Sequence, residues 1–370
     1  MAAQEWYTVN NVETIPSPAL LVYPERIEEN IRTMISMAGG FTRLRPHIKT
    51  HKTAEIVQMQ QRHGIQKFKC ATVAEAELLG NCGAKDVLLA MQPVAANIDR
   101  FFSLMKRFPE TYFSTLVDNL SHLKVLATSA ENEHTRISLY MDINNGMDRT
   151  GCPPDETAVA LYRAMEEHSH VTASGIHVYD GHIRDSDIAD RKARCDAAYE
   201  SVTDLINTIK NEGITVPHVV AGGSPSFPIH SKRPHVESSP GTTLLWDVRY
   251  GDLFPDMHFL HAAVLLVRVI SKPGKDLLCF DLGHKWVAPE MGFPRVKLLG
   301  LEGSEQVGHS EEHLIVKTQK ANEYAVGDAL YALPIHICPT AAKYKEVRTI
   351  SDHEQTGTWE VVARDQRITI

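Results

Sequence analysis

The sequence predicts a (β/α)8 barrel of the TIM type, joined to a C-terminal β-rich domain. From about residue 40 to 250, short β-branched runs alternate with longer helical patterns, the order that produces right-handed crossovers and a parallel sheet. Seven or eight such units fit into about 210 residues, which favours closure into a barrel. An open doubly wound sheet is the competitor, but the first strand is not followed by the GxGxxG turn of that class. After Gly251 the texture changes, and strand-like runs follow one another without long helices between them.

Taken in order, the barrel strands are expected at 44–49, 67–71, 86–91, 112–117, 137–142, 173–179 and 218–221, with a weaker eighth at 236–238. Helical patterns lie at 53–62, 73–79, 155–168 and 187–211. The second domain is expected to contain strands at 262–271, 277–281, 313–317, 329–334 and 358–363, and the early strand 18–23 is assigned to it. The predicted division is therefore a barrel over 24–250 and a discontinuous β-rich domain from 1–23 and 251–370. Neither internal repeats nor low-complexity segments interrupt this plan.

Composition narrows the function. Apolar residues make up 43% of the 370 and charged residues 23%, an ordinary globular balance. The 38 basic and 46 acidic residues leave a formal charge of −8 without a basic block, which argues against nucleic acid as a partner. Met1–Asn10 lacks the apolar core of a secretion signal, and the most apolar run, 262–269, is too short to span a bilayer, so no membrane partner is expected. Six cysteines are spread singly with no CxxC pair, which reads as reduced thiols in a cytoplasmic protein.

Four segments carry chemistry. In Arg45-Pro46-His47-Ile48-Lys49 a two-residue period places Arg45, His47 and Lys49 on one face. Polar groups pointing into a barrel are costly to bury unless they bind something, and the C-terminal strand ends form the usual active-site mouth. The second segment runs from Asp142 to Gly151 and follows the fifth strand with a glycine-rich loop bearing Arg149. The third, Gly175 to His182, ends the sixth strand and brings Tyr179 to the barrel rim. The fourth, His218 to Ser226, runs into Gly222-Gly223-Ser224, where bare backbone and a hydroxyl suit a phosphate. In the second domain His336 and Cys338 end a strand two residues apart. In extended chain they converge on one point as a metal-ligand pair with open positions.

The ordered set PALLVYPERIEENI, LRPHIKTHKT, GMDRTG and HICP resembles the fold-type III pyridoxal-5′-phosphate (PLP) enzymes. Within them the D-threonine aldolase and D-serine dehydratase group, whose barrel is alanine racemase N-terminal-like, is most similar. The resemblance implies a PLP-binding barrel with Lys49, not Lys52, carrying the cofactor as a Schiff base. It places Arg149 near the phenolic oxygen, Tyr179 against the pyridine ring, and Gly222, Gly223 and Ser224 at the phosphate. His47 sits on the same cofactor-binding segment. It also implies a divalent metal on His336 and Cys338, with zinc favoured by an imidazole-thiolate pair and manganese or magnesium as alternatives. His182, one turn beyond Tyr179, is the expected acid or base near the substrate hydroxyl. A homodimer acting on a small amino-acid substrate completes the expectation.

These parts allow two reactions on a β-hydroxy-D-amino acid. Removing the hydroxyl proton leads to cleavage between Cα and Cβ. Removing the α-proton, with the metal assisting departure of hydroxide, leads to β-elimination. A thiolate ligand softens the metal's Lewis acidity, which favours the aldolase, whereas in the resembled group cysteine goes with dehydratases. The reading adopted is aldolase, with dehydratase as the alternative. A racemase of this fold needs a second base, typically a partner-subunit tyrosine, and has no use for the HxC pair. A non-catalytic PLP carrier lacks the β-rich domain. A scaffold protein leaves the polar motifs at successive strand ends unexplained.

Overall fold

The computed structural model describes residues 4–370. The first three residues of the Met1–Asn10 segment, and of the 1–23 piece, lie outside the described residues.

One edge of the chain's plan is set early. β1 (Ala19–Val22) is four residues long and wholly buried. Seven parallel strands then form a curled sheet in simple chain order. They are β2 (Lys67–Cys70), β3 (Asp86–Leu89), β4 (Tyr112–Val117), β5 (Ile137–Ile143), β6 (Val171–Val178), β7 (His218–Ala221) and β8 (Val236–Ser238). Helices packed outside include α1 (Pro24–Ala38), α2 (Ala54–Arg62), α3 (Val73–Asn81), α4 (Ala96–Arg107), α5 (Leu120–Asn132), α6 (Glu156–Glu167) and α7 (Ile188–Asn211). The capping residues explain where several begin: Asp155 accepts from Thr157 N at 2.8 Å, and Asp187 accepts from Ala189 N and Asp190 N. On α1 the Ile27, Ile31, Met34 and Ala38 stripe is fully buried, each larger side chain contributing about 1.5–3 kcal/mol of burial.

The expected first strand, 44–49, is not a regular strand. It closes the gap between β8 and β2 through single bridges, Leu44 to Ser238 and His47 to Lys69. Arg45 N donates to Ser238 O, His47 N to Pro240 O, and Lys69 N to Pro46 O, each at 2.9 Å. Pro46 has no N–H to continue a ladder, and the chain turns into a 3-10 turn at Ile48–Thr50. Lys49 therefore projects from a turn rather than from a strand end. The barrel class stands, and its first stave is a pair of bridges.

The second sheet has nine strands. It contains β1, β9 (Ala263–Gly274), β10 (Leu277–Phe280), β11 (Val296–Leu299), β12 (Glu305–His309), β13 (Leu314–Lys317), β14 (Ala329–Pro334), β15 (Glu346–Ser351) and β16 (Glu354–Glu360). β1 pairs antiparallel with β9 and parallel with β15, which draws the chain's start into this sheet. The run expected at 358–363 begins inside β16 and ends in a 3-10 turn at Val362–Arg364. One hydrophobic core runs from the barrel into this sheet, holding Phe68 and Leu139 together with Leu265 and Leu314. All six cysteines are free thiols. Among the described residues, no helix is long and apolar enough to cross a membrane.

Candidate active site

The turn at 48–50 faces the barrel interior. Arg45, His47 and Lys49 do share an inward face, but they meet different partners. Arg45 is completely buried and lies deeper, paired with Asp86 at 2.6 Å and Glu237 at 2.8 Å. The barrel's own carboxylates satisfy it, so it is structural. His47 and Lys49 instead line a cavity of about 250 Å³ with Lys69, Gln92, Arg149, Thr150, His177 and Tyr179. His47 Nδ1 accepts from Lys49 N at 3.2 Å. Burial first, then the charges of Lys49 and Lys69, hold His47 well below the usual imidazole range, so its ring is neutral with Nε2–H the free donor. Lys52 is tied to Glu75, which also accepts from Ala71 N at 2.7 Å. That leaves Lys49 as the free amine of the pair.

Strands β5 and β6 add a buried relay. His177 Nδ1 lies 2.7 Å from Asp142 Oδ1, and Gln92 Nε2 donates to the other carboxylate oxygen at 3.0 Å. Burial raises Asp142, but hydrogen bonds and attraction from His177 outweigh it and hold the carboxyl low. Lys69 Nζ stands 3.5 Å from His177 Nε2. Burial, then repulsion from Lys49, pull its ammonium down to about 7. The loop after β5 is pinned by Asn144, whose Oδ1 accepts from Gly146 N and Asp148 N. This brings the Arg149 guanidinium over the Tyr179 ring, 4.7 Å from its centroid.

Tyr179 sits just past β6, and two glycines make room for it. A Cβ on Gly181 would lie 2.5 Å from its ring carbons and one on Gly223 would lie 2.9 Å away. Gly222 has φ +74°, and a Cβ there would meet His230 Cδ2 and Ser226 Oγ at 2.6 Å. Its N–H donates to Val178 O, and Gly223 N–H donates to Ser226 Oγ. Both amides are therefore used within the turn, and the glycines contribute space. A second, narrower cavity joins Gly223 and Ser224 to His47, Lys49, Lys69, Tyr179, Ser239, Gly241, Thr242 and Tyr250. Ser224 Oγ accepts from Gly241 N and Thr242 N, leaving its hydroxyl hydrogen free to donate. Ser239 Oγ is buried without a partner. An anion such as a phosphate would satisfy both hydroxyls.

The second domain contributes His336 and Cys338, by a route other than the extended spacing. β14 stops at Pro334, His336 is the N-cap of a short helix, α8 (Ile337–Ala341), and Cys338 lies within that helix. The strand-to-helix turn still brings imidazole and thiol close enough for each to favour the charged form of the other. Burial opposes charge on both. Even so, hydrogen bonding and attraction to Cys338 and Glu290 raise His336 to about 9, while His336 and Lys49 lower the thiol. Glu290 Oε1 reaches His336 Nδ1 at 2.5 Å. Cys338 Sγ lies 3.1 Å from Thr50 Oγ1 and 3.4 Å from Thr242 Oγ1. The thiol thus rests against the Lys49 turn and the anion cradle together.

The structure gathers Lys49, His47, Arg149, Tyr179, Gly223 and Ser224 around two cavities that share His47, Lys49, Lys69 and Tyr179, with Cys338 outside both but against Thr50 and Thr242. Gly222 supports the turn from behind. His182 lines neither cavity: its ring packs against the loop, with Nε2 3.4 Å from where a Gly146 Cβ would be, and its buried Nδ1 has no partner. Sequence reasoning missed Lys69, His177, Asp142, Ser239, Gly241, Thr242, Tyr250 and Glu290.

Residues 22–246 match the family described as alanine racemase, N-terminal domain. The chain belongs to that family. Residues 262–350 match the putative serine dehydratase domain. Relatives in the family include a 3-hydroxy-D-aspartate aldolase from Paracoccus denitrificans, 28% identical over 95% of this chain and 92% of that one. A D-threonine aldolase from Arthrobacter is 24% identical over 95% and 93% of the two chains. The crystal structure of D-threonine aldolase from Filomicrobium marinum superposes with a TM-score of 0.87 at 24% identity, covering 96% of this chain and 98% of that one. The likeness to that structure fixes the fold, an alanine-racemase-like barrel with a β-rich second domain.

Proposed function

We propose that the chain is a PLP- and divalent-metal-dependent lyase of β-hydroxy-D-amino acids, cleaving Cα–Cβ to glycine and an aldehyde in the manner of a D-threonine aldolase. One observation carries the reading: Cys338 of the second domain touches Thr50, the neighbour of Lys49, so the metal pair and the cofactor lysine belong to one site. The named activities of the relatives, aldolases and dehydratases on D-amino acids, agree with it.

The residues fit the cofactor. Lys49, Lys69 and Arg149 give the cavity three basic groups with no carboxylate among its lining residues, and the nearby Asp142 is engaged by His177. The orphaned Ser239 hydroxyl and the free Ser224 hydrogen await acceptor atoms. PLP, when bound, supplies the electron sink for bonds at Cα. In this assignment Lys49 holds the cofactor, Tyr179 supports its ring, and Arg149 and His47 face its polar edge. Ser224, with Gly222 and Gly223 shaping the turn, holds the phosphate.

The residues also fit a metal. His336 and Cys338 form an imidazole-thiol pair with a carboxylate behind the imidazole, the arrangement that orients a metal-bound histidine. A divalent ion there supplies a Lewis acid for the substrate hydroxyl. Zinc suits this donor set, with manganese or magnesium as alternatives. His182 is assigned to the hydroxyl proton on the resemblance alone, since it lines neither cavity.

A second reading, β-elimination, has its own support. Solved structures of a D-threo-3-hydroxyaspartate dehydratase include variants at a histidine and at a cysteine two positions apart, the latter in a metal-free form. Product analysis decides. Aldol cleavage of D-threonine gives glycine and acetaldehyde; elimination gives 2-oxobutyrate and ammonia, and pyruvate from D-serine. Pyruvate from D-serine with no glycine from D-threonine overturns the aldolase assignment.

The barrel at 24–250, the discontinuous domain from 1–23 and 251–370, a homodimer and a cytoplasmic location belong to the same proposal. Pairing of β1 with β9 and β15 supports the division. Six free thiols support the location.

A further inference from the structure

Lys69 has no individual role in the assignment above, yet it is among the buried charges of the barrel. It occupies the middle of β2 with only 2% of its surface exposed, between Phe68 and Cys70, which are completely buried. A lysine so enclosed is costly unless a partner justifies it. Its amine meets no carboxylate within ion-pair distance among the described residues. Instead Nζ stands 3.5 Å from His177 Nε2, and His177 is oriented by Asp142 at 2.7 Å. With Nδ1–H given to the carboxylate, Nε2 presents a lone pair that fixes where the amine points. It points into the site, because Lys69 lines both the wider cavity and the narrower anion cradle.

The cradle supplies its own hydroxyl donors for a phosphate from Ser224 and Ser239. What remains for Lys69 is the negative charge of the ring. We infer that Lys69 is a second cofactor-contacting lysine, whose ammonium, aimed by the positioning residues His177 and Asp142, is the counter-ion of the cofactor's anionic ring oxygen. This rests on the PLP reading. Arg149 approaches from the loop and Lys69 from the strand, at 4.7 Å and 5.7 Å from the centroid of the Tyr179 ring. The groups that face Lys69 are Lys49 and His47 from the closing segment, Arg45 below, Asp142 and His177 beside it, and Tyr179 and Asp180 after β6. In the cofactor-free protein burial, then repulsion from Lys49, bring the Lys69 ammonium down to about 7; an anion beside it restores the charge, as an opposite charge at close range favours the charged form.

The test is the visible absorption of the protein reconstituted with PLP, followed from roughly pH 6 to 9. Lys69→Arg keeps a cation at the ring oxygen and should reproduce the wild-type spectrum across the range. Lys69→Met removes it while still binding one PLP per chain, and should shift the cofactor's band relative to the wild type, because an uncharged neighbour stabilises the ring anion less. If the methionine variant does not fold, Lys69→Gln supplies the uncharged side chain. A methionine or glutamine variant with the wild-type spectrum at every pH, or an arginine variant that shifts as they do, overturns the assignment. A wild type that takes up no PLP would overturn the cofactor reading itself, a result separate from any difference between variants.

Discussion

Around Lys49 the site is walled by groups that the barrel encloses: Lys69 is 2% exposed, His177 4% and His47 8%. At the other wall, the His336 side chain is 34% exposed and Glu290 44%. The first wall is assembled from strands in fixed register, with each polar group satisfied by another or aimed at the cavity. The second is one turn from one domain, held by its own charge pairing and by the contact of Cys338 with Thr50. The difference teaches which part is preorganised and which part its ligand completes. Changes in the barrel wall should cost cofactor or fold, whereas changes in the outer wall should cost metal and leave the cofactor in place.

The largest effect should come from Lys49→Ala. It should abolish the covalent visible band and lower turnover by about a thousandfold or more, as expected when a covalent or acid-base group is lost. Borohydride reduction of the wild type, followed by peptide mapping, should find the cofactor on Lys49; finding it on Lys52 would break the comparison at its base. Next, Glu290→Gln should weaken metal affinity by about 10–100-fold, the usual cost of losing the outer partner of a metal-bound histidine. Its PLP content should be unchanged. Metal titration and PLP absorbance on the same sample separate the two walls, and loss of PLP in this variant would show that they are one unit. Smaller again is Gly222→Ala. At φ +74°, with His230 and Ser226 at 2.6 Å from the new Cβ, overpacking should cost about 1–3 kcal/mol of stability, read by denaturant melts. A neutral result would mean that the turn is looser than its contacts imply.

Sequence reached the parts of the site that lie close together along the chain. The two-residue period placed Arg45, His47 and Lys49 on one face, and that face points inward, although Pro46 prevents a regular strand. The HxC spacing found His336 and Cys338, but for a different geometry, because a helix starts at Ile337. Lys69 and His177 left a signal that went unused. A lysine inside the apolar run Phe68–Cys70 is out of place on a buried strand, and His177 shares the alternation of Tyr179. Ser239, Gly241 and Thr242 left none. They meet Ser224 across 15 or more residues, and loop-to-loop approach is set by tertiary packing rather than by any local period. For the same reason Arg45 looked functional: its partners Asp86 and Glu237 are 41 and 192 residues away.

The smallest effect tests whether the outer wall owes its order to charge. In the metal-free protein His336 is raised from 6.5 to about 9, with burial opposing and Cys338 and Glu290 prevailing. A histidine whose folded value lies above its unfolded value holds its extra proton in the native state. The stabilisation is therefore fully present below about pH 6.5 and is lost as pH rises through about 9. The side chain is about a third exposed, so solvent screening should keep its worth below roughly 1 kcal/mol. Melting the metal-free wild type and Glu290→Gln in parallel should show a small deficit in the variant at pH 6 that closes by about pH 10. A deficit independent of pH would mean that Glu290 acts by packing. The outer wall would then be as preformed as the barrel wall, and metal would add chemistry to it without adding order.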